Sequence, residues 1–181
     1  MTALKRTPLF DLHQELGARL VEFAGWEMPV QYPAGVMAEH VQTREGASFF
    51  DVSHMGQVIL RGEGVAAALE SLVPADILGI PEGRQRYGLF TDDRGGILDD
   101  LMIANRGDHL LLVVNASRTD HDLGHLGRLA AQGVTVEHIA NRGLIAVQGP
   151  KAAAVVADLL PEAAAMRFMD VQDMSWRGAT V

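Results

Sequence analysis

Asp99 and Asp100 are adjacent carboxylates inside an otherwise apolar run, Gly95-Gly96-Ile97-Leu98-Asp99-Asp100-Leu101-Met102-Ile103. Turn signals bound the run, Asp92-Asp93-Arg94-Gly95-Gly96 before it and Asn105-Arg106-Gly107-Asp108 after it, so it reads as a buried strand. Removing an ion from water is costly even after the protein relaxes around it. A carboxylate kept there needs a hydrogen-bonded structural role, a turn near the strand end, or chemistry. Side chains alternate across a sheet, so the two carboxylates point to opposite faces and do not form a facing acid/base pair. Asp99 shares its face with Ile97, Leu101 and Ile103, and Asp100 shares the other with Leu98, Met102 and Ala104. The Asp99 face is the more apolar, which makes Asp99 the better candidate for a desolvated, perturbed group. The plain alternative is that both carboxylates brace neighbouring loops.

Tyr87 and Asn115 flank this run in sequence, and Asn115 closes the apolar stretch Leu110-Leu111-Leu112-Val113-Val114. If the three strands are neighbours, Tyr87, Asp99 and Asn115 converge. An aromatic ring, a carboxylate and a carboxamide suit a flat heterocycle with donors and acceptors on its edge. Met55, at the end of Asp51-Val52-Ser53-His54-Met55, can give such a ligand a soft wall. Alternatively, Tyr87 is a strand-end tyrosine and Asn115 caps the helix beginning at Ser117.

Three other patterns carry chemistry on paper. Gly62-x-Gly64-x-x-Ala67 has the form of a dinucleotide fingerprint, but it leads to Pro74, Pro81 and Gly83 rather than into a parallel βαβ unit, and the glycines read better as turn residues. His121 and His125 lie one helical turn apart at metal-ligand spacing, yet no third ligand is evident and a solvated helix face is the simpler reading. Asp51, Ser53 and His54 fall within four residues, whereas triad members converge in space rather than in sequence; the stretch reads as a braced tight turn.

These residues need elements to position them. Helices are expected over 8–18, 35–45, 63–72 and 117–132, with an Ala-rich helix opening after Gly149-Pro150. Strands are expected over 19–23, 48–52 and 57–60. Residues 87–91, 97–104 and 109–114 read as three successive antiparallel strands, 134–139 and 144–148 as a hairpin, and a further strand begins at Ser175. Gly25-Trp26-Glu27-Met28-Pro29 reads as an irregular connection. Ala-Asn-Arg-Gly occurs at 104–107 and again at 140–143, the same turn chemistry used twice. Helices mixed with antiparallel strands predict an α+β fold, a largely antiparallel sheet packed with helices.

The 181-residue length and 48% hydrophobic, 21% charged composition fit one soluble globular domain or a piece of a larger protein. A net charge of −8 argues against a general nucleic-acid footprint. There is no run of about 18 apolar residues to span a membrane. The N-terminus lacks the apolar core of a signal peptide, and no cysteine is present for a disulfide, thiolate or cysteine-ligated metal. A cytoplasmic location is the expectation.

Six ordered blocks together carry a resemblance: Thr7-Pro8-Leu9, Phe23-Ala24-Gly25-Trp26-Glu27-Met28-Pro29, Phe50-Asp51-Val52-Ser53-His54-Met55, Gly95-Gly96-Ile97-Leu98-Asp99-Asp100, Val113-Val114-Asn115-Ala116 and Ala146-Val147-Gln148-Gly149-Pro150. In this order they resemble the aminomethyltransferases, the T-proteins of the glycine cleavage system. Folate-dependent demethylating enzymes and a folate-binding iron–sulfur assembly factor share parts of the pattern; the Gly25 to Pro29 block favours the T-proteins. The resemblance implies transfer of the one-carbon unit from the aminomethyl-lipoyl H-protein to tetrahydrofolate, with release of ammonia. It implies that Asp99 orients the folate ring and assists proton movement, that Tyr87 and Asn115 contact the ring, and that Met55 walls the cavity. T-proteins continue into a Gly-Tyr-Thr-Gly-Glu block with further folate contacts. This sequence stops before it, so residues 1–181 are expected to form the N-terminal folate-binding region, weakly active or inactive alone. A non-catalytic folate-binding module is the alternative.

Overall fold

The computed structural model describes residues 3–181. The elements are, in order, α1 (Phe10–Glu15), β1 (Arg19–Phe23), β2 (Trp26–Gln31), α2 (Val36–Glu45), β3 (Ser48–Asp51), β4 (Gly56–Arg61), α3 (Val65–Glu70), β5 (Arg84–Thr91), β6 (Ile97–Asn105), β7 (Leu110–Val114), α4 (Thr119–Leu126), β8 (Thr135–His138), β9 (Ile145–Gln148), α5 (Ala152–Leu159), β10 (Ser175–Trp176) and β11 (Ala179–Thr180). The named strands all pair antiparallel, and the fold is α+β as expected. No helix among the described residues is long and apolar enough to cross a membrane.

The chain divides into two compact units. One takes in the residues up to His54, Gly143–Met166 and Asp173–Val181. Its strands form three two-stranded ribbons, β1–β2, β3–β9 and β10–β11. Trp26 to Pro29, expected to be irregular, is part of β2, because Ala24 (φ +53°) and Gly25 (φ +80°) make a two-residue hairpin turn. Positive φ at both central positions matches the twist of the flanking strands, so Gly25 joins two strands rather than ending one.

The other unit holds Met55–Arg142 and Arg167–Gln172 and is built on a five-stranded sheet in the order β5-β6-β7-β4-β8. Three successive antiparallel strands were expected here, and β5, β6 and β7 are those strands. One face carries Val58, Leu60, Phe90, Leu101, Ile103, Leu110, Leu112 and Val114, all buried against Ala68 and Leu69 of α3, the segment Leu72 to Ile80, and Leu126 and Leu129. Burying each large aliphatic side chain contributes about 1.5–3 kcal/mol, so this layer dominates the unit's stability. The expected 117–132 helix is split into a 3-10 turn (Ala116–Arg118), α4, and a second 3-10 stretch (Gly127–Gln132).

The 134–139/144–148 hairpin does not form. β8 joins the five-stranded sheet beside β4, while β9 pairs with β3. Gln57 holds one end, donating from Nε2 to the Arg142 carbonyl at 3.0 Å and accepting the Ile139 N–H on its own carbonyl at 2.9 Å. Ser53 holds the other, its Oγ accepting the Leu144 N–H at 2.9 Å and donating to the Leu144 carbonyl. Strand spacing suggested a local hairpin; partners distant in sequence take both strands instead.

Candidate functional site

The β5–β6 turn sets the register of the carboxylate run. Asp92 Oδ1 accepts the N–H groups of Arg94 and Gly96, each at 2.8 Å, and Gly95 takes φ +80°. Those two backbone donors hold the Asp92 carboxyl below its ordinary range. The register that follows pairs Phe90 with Asp99, Leu89 with Asp100 and Tyr87 with Met102. At the far end of β6, Asn105 Oδ1 accepts the Gly107 N–H at 2.9 Å and its Nδ2 donates to the Ile80 carbonyl at 2.7 Å, closing the turn into β7.

Asn115 follows the last residue of β7 and reaches back to both carboxylates. Its Nδ2 donates to Asp99 Oδ1 at 3.0 Å, to Asp100 Oδ1 at 3.1 Å and to the Asp100 carbonyl at 3.2 Å. The expected convergence of Asp99 and Asn115 is therefore present. Asn115 makes no side-chain cap for the turn that follows it; its amide is used on the aspartates.

Cross-strand partners share a face. Asp99 stands with Phe90, Leu101 and Ile103 on the helix-covered face, and it is half-buried. Asp100 is exposed and stands on the opposite face with Leu89, Tyr87 and Met102. Tyr87 is 65% exposed there and does not join Asp99. Met55 is half-buried and immediately precedes Gly56, whose partner Val114 immediately precedes Asn115. By register Asp100 shares its face with Tyr87, and Asp99 lies on the other. The sequence expectation that Asp99 is the more desolvated of the two agrees with the burial.

Behind β6 lies a residue that sequence reading passed over. Asp122 on α4 has no solvent exposure. Burial pushes its carboxyl up to about 6, with the adjoining Asp99 carboxyl adding to the rise and the His121 contact opposing it. His121 Nδ1 lies 3.2 Å from Asp122 Oδ1. The reading of His121 and His125 as a solvated face leaves Asp122 unconsidered, but Asp122 falls in register with Leu126 and Leu129, at i, i+4 and i+7, and that apolar stripe was the available signal. His125 is also drawn inward, packing edge-to-face on Phe90 at 5.4 Å between centroids. Burial and then the Arg128 charge lower its basicity. No group of three His, Cys, Asp or Glu residues among those described could hold a metal ion.

The remaining motifs are structural. The Cβ position of Gly62 lies 2.8 Å from the Gly133 carbonyl oxygen, and β4 has antiparallel neighbours on both sides, so the glycine pattern permits close backbone packing rather than a dinucleotide turn. Asp51 braces its own turn, Oδ1 accepting the Ser53 N–H at 3.0 Å and Oδ2 meeting His13 Nε2 at 2.9 Å. Burial works to raise the Asp51 carboxyl, and the bonds from Ser53 and His13 outweigh it, holding it below the ordinary value.

Comparison with known proteins bears on the family and the fold. Residues 9–181 match the model of the GCVT N-terminal domain. The chain is 41% identical to the mitochondrial aminomethyltransferase of Dictyostelium discoideum over 97% of its own length and 46% of the relative's. It is 51% identical to the aminomethyltransferase of Deinococcus deserti over 86% of this chain and 44% of that one. The crystal structure of glycine cleavage system aminomethyltransferase T from Bartonella henselae superposes with a TM-score of 0.86 at 39% identity, covering 92% of this chain and 46% of the other. The chain spans about half the length of the curated relatives it matches. A domain match over nearly the whole sequence, on the sheet and turns described above, makes this chain a member of the GCVT N-terminal domain family.

Proposed function

We propose that this chain is the folate-binding N-terminal region of a glycine-cleavage aminomethyltransferase. Such an enzyme moves the one-carbon unit from the aminomethyl-lipoyl arm of the H-protein to tetrahydrofolate and releases ammonia. The observation that carries the reading is Asn115 holding Asp99 and Asp100 together on β6, beside an exposed tyrosine, in a chain of this family.

The donor set fits a reduced pteridine ring. Tyr87 offers an exposed aromatic face, Asp100 an exposed acceptor for ring N–H groups, and Met55 a polarizable wall. The Asn115 carbonyl oxygen takes no part in the bonds to the aspartates. Tetrahydrofolate supplies the nitrogen that accepts the one-carbon unit. Asp100 orients the ring through charge-assisted hydrogen bonds and is placed to take up a proton as that nitrogen reacts. Asn115 fixes the Asp100 rotamer, and Asp99 supports Asn115 from the covered face. A cytoplasmic setting and an H-protein partner go with the same reading.

Calorimetric titration of the chain with tetrahydrofolate tests it. Binding is expected, and Asp100→Asn is expected to weaken it about tenfold or more, the worth of a charge-assisted hydrogen bond. No binding to the wild-type chain overturns the reading. Binding to the full-length protein without one-carbon transfer from loaded H-protein favours the non-catalytic module.

A further inference from the structure

The Asp99–Asp122 contact is unusual because both groups are acids. Asp99 Oδ1 accepts the Asn115 amide, and Asp122 Oδ1 meets His121. The other oxygen of each, Asp99 Oδ2 and Asp122 Oδ2, is buried and has no donor. Asp99 adjoins Asp122 and adds to the rise of its carboxyl. Two carboxylate oxygens cannot bond without a hydrogen between them, and most buried polar atoms in native proteins are satisfied. One proton shared by the two carboxyls would give both orphan oxygens a partner.

We infer that Asp122 is a positioning residue for the Asp100 face: it shares one proton with Asp99 behind β6, and the pair sets the Asn115 carboxamide that holds Asp100. This rests on the reading of Asp100, Tyr87 and Asn115 as the cofactor face.

The charges around the pair agree. Among the described residues, His121 is the basic group that hydrogen-bonds Asp122, and its ring is substantially exposed. His125, one turn further along α4, faces Phe90 with its Nε2 buried and without a partner. Arg128 is engaged with Asp93 at 2.9 Å. Asp100, on the far side of Asn115, adds negative charge, which favours keeping the proton on the pair. When the proton leaves, a second negative charge stands behind the Asn115 amide that Asp99 and Asp100 share, and the balance between its two acceptors changes.

Carboxyl and side-chain-amide NMR of the chain across acid to neutral pH tests this without any ligand. Asp122 is expected to keep its proton above the ordinary acid range, with the Asp99 carboxyl carbon reporting its loss as a neighbour. The Asn115 side-chain amide signals are expected to follow the late step. In Asp122→Asn that step vanishes from Asp99, and Asn115 no longer responds. Loss of the Asp122 proton in the ordinary acid range, or Asn115 signals flat through the late step, overturns the inference.

A binding arm separates positioning from packing. The carboxamide introduced by Asp122→Asn can donate to Asp99 Oδ2 as the shared proton did, so this variant keeps tetrahydrofolate affinity within about threefold, whereas Asp122→Ala loses about tenfold, the worth of a hydrogen bond to a charged group. Equal loss in both variants, or none in either, overturns positioning. If the wild-type chain binds no tetrahydrofolate, the functional reading falls and the NMR result decides the pair. Should Asp122→Ala not fold, Asp122→Asn and the wild type carry the NMR arm.

Discussion

Asp122→Asn makes a thermodynamic prediction with a definite sign. The Asp122 carboxyl titrates at about 6 in the folded chain against 3.8 ordinarily, because burial penalises the anion. Its folded value is raised, so between those two pH values the native state binds more protons than the unfolded chain. Stability from this group is fully present below about pH 4, falls as pH rises, and is lost above about pH 6. The gap of about 2.2 pH units, at about 1.4 kcal/mol each, sets a limit of about 3 kcal/mol. An asparagine carries no such penalty. Relative to wild type, the variant should therefore gain stability with rising pH, by up to about 3 kcal/mol between pH 4 and pH 7. Urea unfolding at constant ionic strength measures this at several pH values. The difference between the two proteins is the quantity to follow, because Asp51, Asp108 and Asp170 have lowered carboxyl values that give the opposite slope in both. A constant difference across that range refutes the buried-proton argument.

Two further perturbations probe the scaffold. Gly56→Ala puts a Cβ 2.6 Å from Val114 Cγ2 and 2.9 Å from the Thr119 side chain. It should cost about 1–3 kcal/mol by overpacking, and adding Val114→Ala should recover part of that; thermal melts of both single variants and the double variant check the coupling. His13→Ala removes the ring that meets Asp51 Oδ2 at 2.9 Å and the Tyr32 hydroxyl at 2.8 Å. The expected loss is about 2–4 kcal/mol at neutral pH, shrinking as pH falls and Asp51 takes up a proton, which pH-dependent urea midpoints would show.

Several parts of the site were legible in the residues. The Asp92 to Gly96 turn, the three strands after it and the separation of Asp99 from Asp100 all follow from local chemistry, since turn preferences and side-chain alternation act over a few residues. Gly25 misled for a related reason: glycine permits both a break and a tight hairpin, and only the pairing of Phe23 with Trp26 distinguishes them. Tyr87 misled through parity. Neighbouring strands bring residues close along the sheet, yet Tyr87 pairs with Met102, three positions from Asp99 and so on the other face.

The sequence by itself determined that one carboxylate of the pair must face each side of the sheet, that the sheet is antiparallel, and which family blocks the chain carries. Only the tertiary structure decided which side is covered. Helix α4 and the segments around α3 close over Phe90, Leu101 and Ile103, leaving Asp100 in the open and half-burying Asp99 beside the fully buried Asp122. The reason is that alternation is set by covalent geometry within a strand, whereas desolvation is set by residues far away in sequence that pack against it. A second carboxyl from a helix 23 residues downstream is invisible to any local pattern, and it is that neighbour which makes the Asp99 environment unlike that of an ordinary strand-end acid.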